Sequence, residues 1–529
     1  NPTDPCSMPV ASRQKIFLQN SSYKALLLFS GRNRTNVTMW QNVLSIVLLV
    51  VGGVTFIVGG VGYFVWPVVL ETQLRDELQL TNSSRSFDLW KETPIPMYLE
   101  VYMFNWTNPL ETLSGKAKPN FVEMGPYTFT EHHSKVNLLW NNENNTITFN
   151  QVRRWHFVPE QSNGSLSDQV TNVNVIAMTV GNILKKNVPK ALLPFIQPVM
   201  EKEESKVYVT KTVQELMFDG YSDNLLNIFQ KLKNIIKIKI PFDKFGWFYQ
   251  RNNSATYDGT FNMNTGASTL RELGDIQRWN FRGNGNVYTG QCDRVHGSTG
   301  ELWPSNSASQ NRITIFASDM CSSFSLSHAG TSEVEGVTTS VHDGDALTLD
   351  NGELSYDNKC YCSPSSGCPP TGARNVAKCR FGAPAYISFP HFYLADGVYA
   401  EKVTGLNASE EHHKLTISLD KITGIPLEVH ARLQINILAE SVPGLRFFNG
   451  LPGAYMPMLW FDQKARITSN LAGELRELTG LATYVEPSIV AVLVFGLVLL
   501  VVGLLIWFLG KKKTIPSSPL LSSNASDSS

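Results

Sequence analysis

The chain is short of charge in two places and balanced in charge overall. No Asp, Glu, Lys or Arg occurs from Val43 to Leu70 or from Pro487 to Gly510. Elsewhere 45 Lys and Arg offset 45 Asp and Glu, a formal net charge of zero. A nucleic-acid binder needs a basic surplus over phosphate, so that class is excluded as a partner. There is no Gly-x-Ser-x-Gly elbow, no His-Glu-x-x-His and no Walker loop, and Gly283-Asn284-Gly285 lacks the third glycine of a dinucleotide loop. No enzyme and no cofactor are expected. Histidine is absent between His156 and His296, and cysteine is confined to Cys6 and a cluster from Cys292 to Cys379.

Each charge-free run exceeds the roughly 20 apolar residues that cross a bilayer as a helix, which satisfies its own backbone groups there. Arg13, Lys15, Lys24, Arg32 and Arg34 precede the first run and Lys511, Lys512 and Lys513 follow the second. Glu71, Asp76, Glu77, Glu477 and Glu486 lie on the inner flanks. Lys and Arg are retained in the cytosol, so both termini are expected there. Tyr63, Phe64, Trp66, Trp507 and Phe508 end the two runs where aromatic rings favour the interface. No small-residue cleavage site follows the first run, which reads as an uncleaved signal-anchor. The expected organisation is a cytosolic segment 1–42, a transmembrane helix 43–66, an extracellular or lumenal domain 67–487, a second helix 488–510 and a cytosolic tail 511–529.

Two features of the middle segment fit that placement. Sequons stand at Asn82, Asn105, Asn144, Asn163, Asn252 and Asn407, where glycosylation is expected. Those at Asn20, Asn33, Asn36 and Asn524 fall on the cytosolic ends and are expected to stay unmodified. Six cysteines (Cys292, Cys321, Cys360, Cys362, Cys368 and Cys379) read as three disulfides of an oxidising compartment, with 15 connectivities open. Cys360-x-Cys362 lacks a matching second pair and a His at zinc-finger distance, so no metal is assigned. Cys6 is a free thiol or an acylation site.

Met97–Phe104, Tyr127–Thr130, Leu415–Leu419 and Leu433–Leu438 carry the residues and alternation of strands. Asp343-Gly344 and Asn351-Gly352 mark turns, and the acidic stretch Asp343–Asp350 reads as turns before it reads as a calcium loop. From Asn172 the apolar positions Ile176, Val180, Ile183 and Leu184 fall at helical spacing until Pro189, Pro194 and Pro198 cut the pattern; a second helical pattern runs from Thr212 to Lys233. Lys185, Lys186, Lys190, Lys202 and Lys206 form either a solvated helix face or a basic, anion-attracting cap. His132-His133 and His412-His413 read as surface pairs without a role.

Several motifs carry a resemblance. Phe87-Asp-Leu-Trp90, Pro94-Ile-Pro96-Met-Tyr98 and Phe104-Asn-Trp-Thr-Asn-Pro109 open it. Glu123-Met-Gly125-Pro126-Tyr127, Lys244-Phe-Gly246, Cys379-Arg-Phe-Gly-Ala-Pro384, Ser388-Phe-Pro-His391-Phe392 and Thr423-Gly424-Ile-Pro426 continue it. With the six-cysteine spacing, these resemble the class B scavenger receptors, among them the fatty-acid translocase, the high-density-lipoprotein receptor and the lysosomal integral membrane protein. The resemblance implies a mixed α+β fold: a large antiparallel β-barrel ectodomain with a short-helix cap near residues 172–235, and an apolar tunnel toward the membrane. It implies pairing of Cys292 with Cys360, Cys321 with Cys379 and Cys362 with Cys368; the turn-forming Ser363–Gly367 also favours the last. It implies lipids, lipoproteins or anionic lipid-bearing particles as partners, with fatty acids, sterols, carotenoids or phospholipid as cargo, and a lysine late in the bundle, here Lys202, in anionic-ligand binding. The alternative is a protein-binding receptor, phagocytic, adhesive or an escort of a lysosomal enzyme. The histidine-free cap speaks against the escort role, since imidazole is the natural switch between pH 5 and 8. The cell membrane is the expected location; Leu520-Leu521 leaves the endosomal or lysosomal membrane as the alternative. A homo-oligomer is an open option, because Gly52/Gly59, Gly53/Gly60 and Gly496/Gly503/Gly510 repeat every seven residues, a stripe that allows close helix packing within or between chains.

Overall fold

A computed structural model of the chain describes residues 22–202, 205–226, 243–362 and 367–512. It divides into two units: residues 1–70 with 480–529, and residues 71–479.

The first unit holds two helices long and apolar enough to cross a membrane. The helix Ser22–Leu78 runs beyond both ends of the expected span 43–66, and the helix Ser469–Lys512 contains 488–510 within it. They pack on each other along one of the two glycine stripes. A Cβ at Gly59 would lie 2.8 Å from the Leu493 backbone, and one at Gly52 2.8 Å from Leu500. Gly496 meets Phe56, and Gly503 meets Leu48 and Leu49. Gly53 and Gly60, one residue on, meet nothing. Lipid supplies no hydrophobic force between helices, so backbone approach and dispersion must hold the pair, and a side chain on this stripe would prevent both.

The second unit is built on an antiparallel sheet in the order β7-β6-β3-β2-β1-β15-β14-β13-β10-β9-β8. The strands are β1 (Met97–Trp106), β2 (Phe121–Asn141), β3 (Thr146–Phe157), β4 (Gln169–Val173), β5 (Tyr208–Thr212), β6 (Thr260–Asn264), β7 (Ile276–Trp279), β8 (Arg312–Ala317), β9 (Ser322–Val334), β10 (Val337–Asp343), β11 (Ala373–Asn375), β12 (Ala385–Ser388), β13 (Thr416–Asp420), β14 (Pro426–Ala439) and β15 (Ala454–Arg466). The strand patterns seen in the sequence fall within β1, β2 and β14, and Leu415–Leu419 overlaps β13 from Thr416 on. β12 pairs with β14 and β11, while β4 and β5 form a separate ribbon.

The two ends of this sheet are joined by a short stitch. Ile276 N–H of β7 donates to Gly297 O at 2.8 Å, and Ser298 N–H donates to Thr314 O of β8 at 3.0 Å. Phe316 N–H returns a bond to Ser298 O at 2.8 Å. Gly297 has φ +92°, and a Cβ there would stand 2.5 Å from Thr314 O, so glycine is required where the stitch crosses. The sheet is thereby nearly closed, which removes the open edges that would otherwise template pairing.

Register fixes the two faces. Leu99 faces Phe129 and Gln463; Val101 faces Tyr127 and Phe461; Phe461 faces Leu433. Leu99, Val101, Tyr127, Phe129 and Trp155 belong to the main buried core, so this is the inner face. Disulfides join Cys292 to Cys360, Cys321 to Cys379 and Cys362 to Cys368. The first two close chain separations of 68 and 58 residues, each worth roughly 4 kcal/mol by loop entropy.

Between β4 and β5 lies the cap, a helix Val175–Asn187, a 3₁₀ turn Lys190–Leu192 and a helix Leu193–Lys202. Asn174 caps the first, accepting from Ala177 N–H at 3.2 Å while its amide donates to Lys206 O and Asp223. The second helical pattern is interrupted within its described part. Val213 to Asp219 is a short helical stretch ending in the π-turn Glu215–Asp219. It stops at Gly220, whose φ is +69°, and Leu226 is helical again, while Phe218 packs on Phe129 of the barrel. The rest of that pattern, 227–233, lies outside the described residues.

The helix pairing yields a test. Cysteines at Leu49→Cys and Gly503→Cys are expected to crosslink. Adding Gly59→Leu should abolish the crosslink and Gly60→Leu should leave it intact. Crosslinking that survives Gly59→Leu contradicts packing along this stripe.

Candidate functional site

The inner face of the barrel differs from one side to the other. On β14 and β15 Val429, Ala431, Leu433, Ile435 and Phe461 are apolar, point inward and remain only half-buried. Their outward neighbours Gln434, Asn436 and Trp460 are fully buried beneath other segments. An inward apolar side chain that keeps part of its surface borders space that protein does not fill. On the neighbouring strands β1 and β2 Val101, Tyr127 and Phe129 are fully buried, and the half-buried rings of Phe218 and Phe248 pack on Phe129 and Trp155.

Further along β2 and β3 the inner face becomes charged. Glu131, His133 and Lys135 continue the parity of Tyr127 and Phe129, opposite Trp155, Arg153 and Gln151. His133 lies 2.6 Å from Glu131 and 2.7 Å from Glu301, and Lys135 lies 2.6 Å from Glu301. Arg153 is 3.9 Å from Glu131 and 3.3 Å from Asp258, and Arg251 bridges Asp258 to Asp319. The amide of Gln463 donates to Glu131 at 3.0 Å, carrying the chain to β15. Burial pushes the Glu301 carboxyl up, but Lys135 and His133 outweigh it and hold it down at about 2. Glu131 is likewise lowered, burial being overcome by His133, Arg153 and Arg251. Burial disfavours the His133 cation, yet the two carboxylates raise its pKa. Burial pulls the Lys135 pKa down against the attraction of Glu301, so the charged forms of the two carboxylates and of His133 are favoured while that of Lys135 is weakened. Beyond it Trp90 meets Phe149 edge-on at 4.8 Å, and Phe149 stacks on Phe261 at 5.5 Å.

The histidine pairs are corrected here. His132 is exposed but His133 is buried, because strand alternation sends neighbours to opposite faces. His413 is buried as well, while His412 is exposed. His413 stacks on His391 at 4.3 Å on the outer face of the sheet, beside Trp460, and His391 pairs with Glu123 at 2.7 Å. Burial, and then His391, lower the His413 pKa to about 4. Ser388-Phe-Pro-His391 marked this place in the sequence, but its partnership with His413 depends on the fold.

The cap lysines do not act as one group. Lys185 is 2.7 Å from Glu440. Lys186 is exposed at its side, with its pKa lowered by desolvation and then by Lys185 and Lys378 against the pull of Glu440. Lys190 is exposed. Lys206 is exposed and lies 5.8 Å over the Tyr208 ring. The Lys202 side chain lies outside the described residues. Leu192 and Phe195, 50% and 76% exposed, give the cap an apolar tip that helical spacing alone did not reveal. Pro194, Gln197, Gly444, Leu445, Arg446 and Asn449 line a shallow groove beside it. Asn82, Asn144, Asn163, Asn252 and Asn407 are exposed, as glycan acceptors need to be; Asn105 sits half-buried within β1, its Oδ1 accepting from Thr171 N–H at 2.8 Å. Among the described residues no cluster of side chains has the makings of a metal site.

The network has a pH signature. The raised His133 pKa contributes stability that is fully present below about pH 6.5, its unperturbed value, and is lost as pH rises through the folded value. His133→Gln should thus lower the unfolding midpoint most near pH 6 and least in alkali, with a loss of up to about 3–5 kcal/mol. Denaturation of wild type and variant across pH 5.5–9.5 measures it; a constant difference would show that His133 carries no linked proton.

Comparison with known proteins places this architecture. The sequence profile of the CD36 family matches residues 50–509. Protein peste of Drosophila melanogaster is 34% identical over 82% of this chain and 77% of its own length. Scavenger receptor class B member 1 of Cricetulus griseus is 32% identical over 78% of this chain and 79% of its own. Lysosome membrane protein 2 of Homo sapiens is 28% identical over 85% and 92%. The family's members are receptors, and the match runs from within the first candidate spanning helix, through the barrel, into the second: the chain belongs to the CD36 family.

Proposed function

We propose that the chain is a two-pass receptor, both termini cytosolic, that binds lipids or lipid-bearing particles and passes hydrophobic cargo through the barrel to the membrane. The half-buried apolar wall of β14 and β15 carries this reading. A hydrocarbon laid against Val429, Leu433, Ile435 and Phe461 leaves water at a gain of about 0.8 kcal/mol per methylene, enough to drive capture without chemistry. Lys186, Lys190 and Lys206, all exposed, would draw anionic particles to the cap from beyond contact range. Relatives that bear the names scavenger receptor and lysosome membrane protein support the cell membrane as the location, with the lysosomal membrane as the alternative.

A second reading, a receptor for proteins, draws on the exposed Phe195 and Leu192 beside Lys190. Aromatic anchors with a basic rim are the composition of a protein interface. The two readings separate in one preparation. Lipid extracted from the purified full-length protein and identified by mass spectrometry, after exchange through nanodiscs of defined lipid, should include a species retained in stoichiometric amount. A protein that retains none, and takes none from labelled vesicles, would favour the second reading and overturn the first.

A further inference from the structure

Two histidines are stacked where a segment of chain lies on the outer face of the sheet. His391 stands in the 3₁₀ turn Pro390–Phe392, and His413 ends the short helix Glu410–His413. Their ring centroids are 4.3 Å apart, and the residues are 7% and 6% exposed. Each ring accepts a main-chain N–H at Nδ1: Asn407 donates to His391 at 3.0 Å, and Ser409 to His413 at 2.8 Å. An accepting Nδ1 leaves the neutral ring its proton on Nε2. His391 spends that proton on Glu123 at 2.7 Å, and the same carboxylate oxygen accepts from the Trp460 indole at 2.6 Å. The turn is strained, since His391, Phe392 and Leu394 have φ of +54°, +58° and +57°. Gln434 accepts the His391 N–H at 2.6 Å and holds it there.

On either side the segment is fixed without imidazole. Thr404 N–H donates to Pro119 O at 2.8 Å, and Phe121 N–H to Thr404 O at 3.0 Å. Lys414 pairs with Asp343 at 2.8 Å, and the Arg432 guanidinium donates to the carbonyls of Glu411 and Lys414. Between these anchors Asn407 is tied to His391. Ser409 sets the His413 ring, which meets Trp460 edge-on at 5.5 Å.

We propose that the stacked pair is an acid-sensitive clasp: a proton on His413 Nδ1 turns an acceptor into a donor facing Ser409 N–H, sets a cation against the His391 ring, and frees Asn407–Glu410 from the sheet, uncovering Trp460. The charges around the pair favour a neutral His413. Glu123 on β2 attracts a cation there; His391, His412 on its own turn and Arg432 on β14 oppose one. Asp462 on β15 is occupied by Arg432 and His430, and Asp343 on β10 and Glu410 by Lys414. Tyr102 on β1, stacked on Trp460, stays neutral, its pKa raised by burial and then by Glu100. Burial, and then His391, bring the His413 pKa down to about 4, against about 6.5 for a free imidazole. The closed clasp therefore binds fewer protons than the open one between these values. It is fully stable above about pH 6.5 and weakens as pH falls toward about 4, by up to about tenfold per pH unit. The raised pKa of His133 has the opposite sign, so acid does not loosen the barrel interior through that group.

The experiment is hydrogen exchange on the full-length protein in nanodiscs at pH 7.4 and pH 4.5, read at single amides and corrected for intrinsic rate. Protection at Asn407 and Ser409 should fall roughly fiftyfold relative to Thr404 and Phe121, whose acceptors do not titrate. Equal protection at both pH values would overturn the clasp. A loss that Thr404 and Phe121 share in the same measure would overturn it as well. His413→Phe keeps a ring on His391 but cannot take the proton. In that variant the acid loss at Asn407 should be at least about tenfold smaller. A loss equal to that of wild type would remove His413 from the account and the clasp with it. Should the variant fail to fold, the wild-type comparison still decides the proposal.

Discussion

Closure of one antiparallel sheet is the constraint on which the ectodomain depends. A strand buried on one face must satisfy its backbone groups on both sides, and only a ring of strands leaves none at an edge. Here the ring closes through two residues, Gly297 and Ser298, held between β7 and β8. The disulfide Cys292–Cys360 lies just before that stitch, and Cys321–Cys379 starts in the turn after β8. The covalent framework thus sits where the sheet has the least hydrogen bonding of its own, and the cysteines are clustered in sequence because that seam is local.

Closure creates an interior, and its side chains divide it by chemistry. Apolar residues with spare surface line one wall, ions that neutralise one another cross the middle, and aromatic rings fill the far end. The outer face carries the complementary pattern, where His391, His413, Glu123 and Trp460 are covered by the chain from Phe389 to Leu415. Strand alternation alone produces this separation: His132 and His133 are neighbours in sequence, yet one meets water and the other two carboxylates.

Much of the architecture is legible before folding. Charge-free runs mark the spanning helices because a bilayer admits little else, and alternation over Met97–Phe104 and Leu433–Leu438 marks strands. The glycine period of seven located the helix contact, though only the packed helices distinguish Gly52 and Gly59 from Gly53 and Gly60. The site is less legible. Lys185 reads as a free surface charge until Glu440, 255 positions away, is brought to it. The charged network was invisible as a unit, since Glu131, Lys135 and Glu301 become partners only through β2 and the loop before β8. Helical spacing says nothing of where an apolar side chain goes: Phe218 is apolar because it packs on Phe129 of the barrel.

The central claim is that the space beside β14 and β15 is the place where lipid is held. Leu433→Trp would put an indole into that space with little cost to the surrounding sheet, whose inward neighbours Ala431 and Ile435 are half-buried. Equilibrium binding of a fluorescent fatty acid to the full-length protein in nanodiscs should then weaken at least about tenfold, a loss of roughly 1.4 kcal/mol, with the unfolding midpoint unchanged. Binding equal to wild type in a folded Leu433→Trp protein would contradict the account.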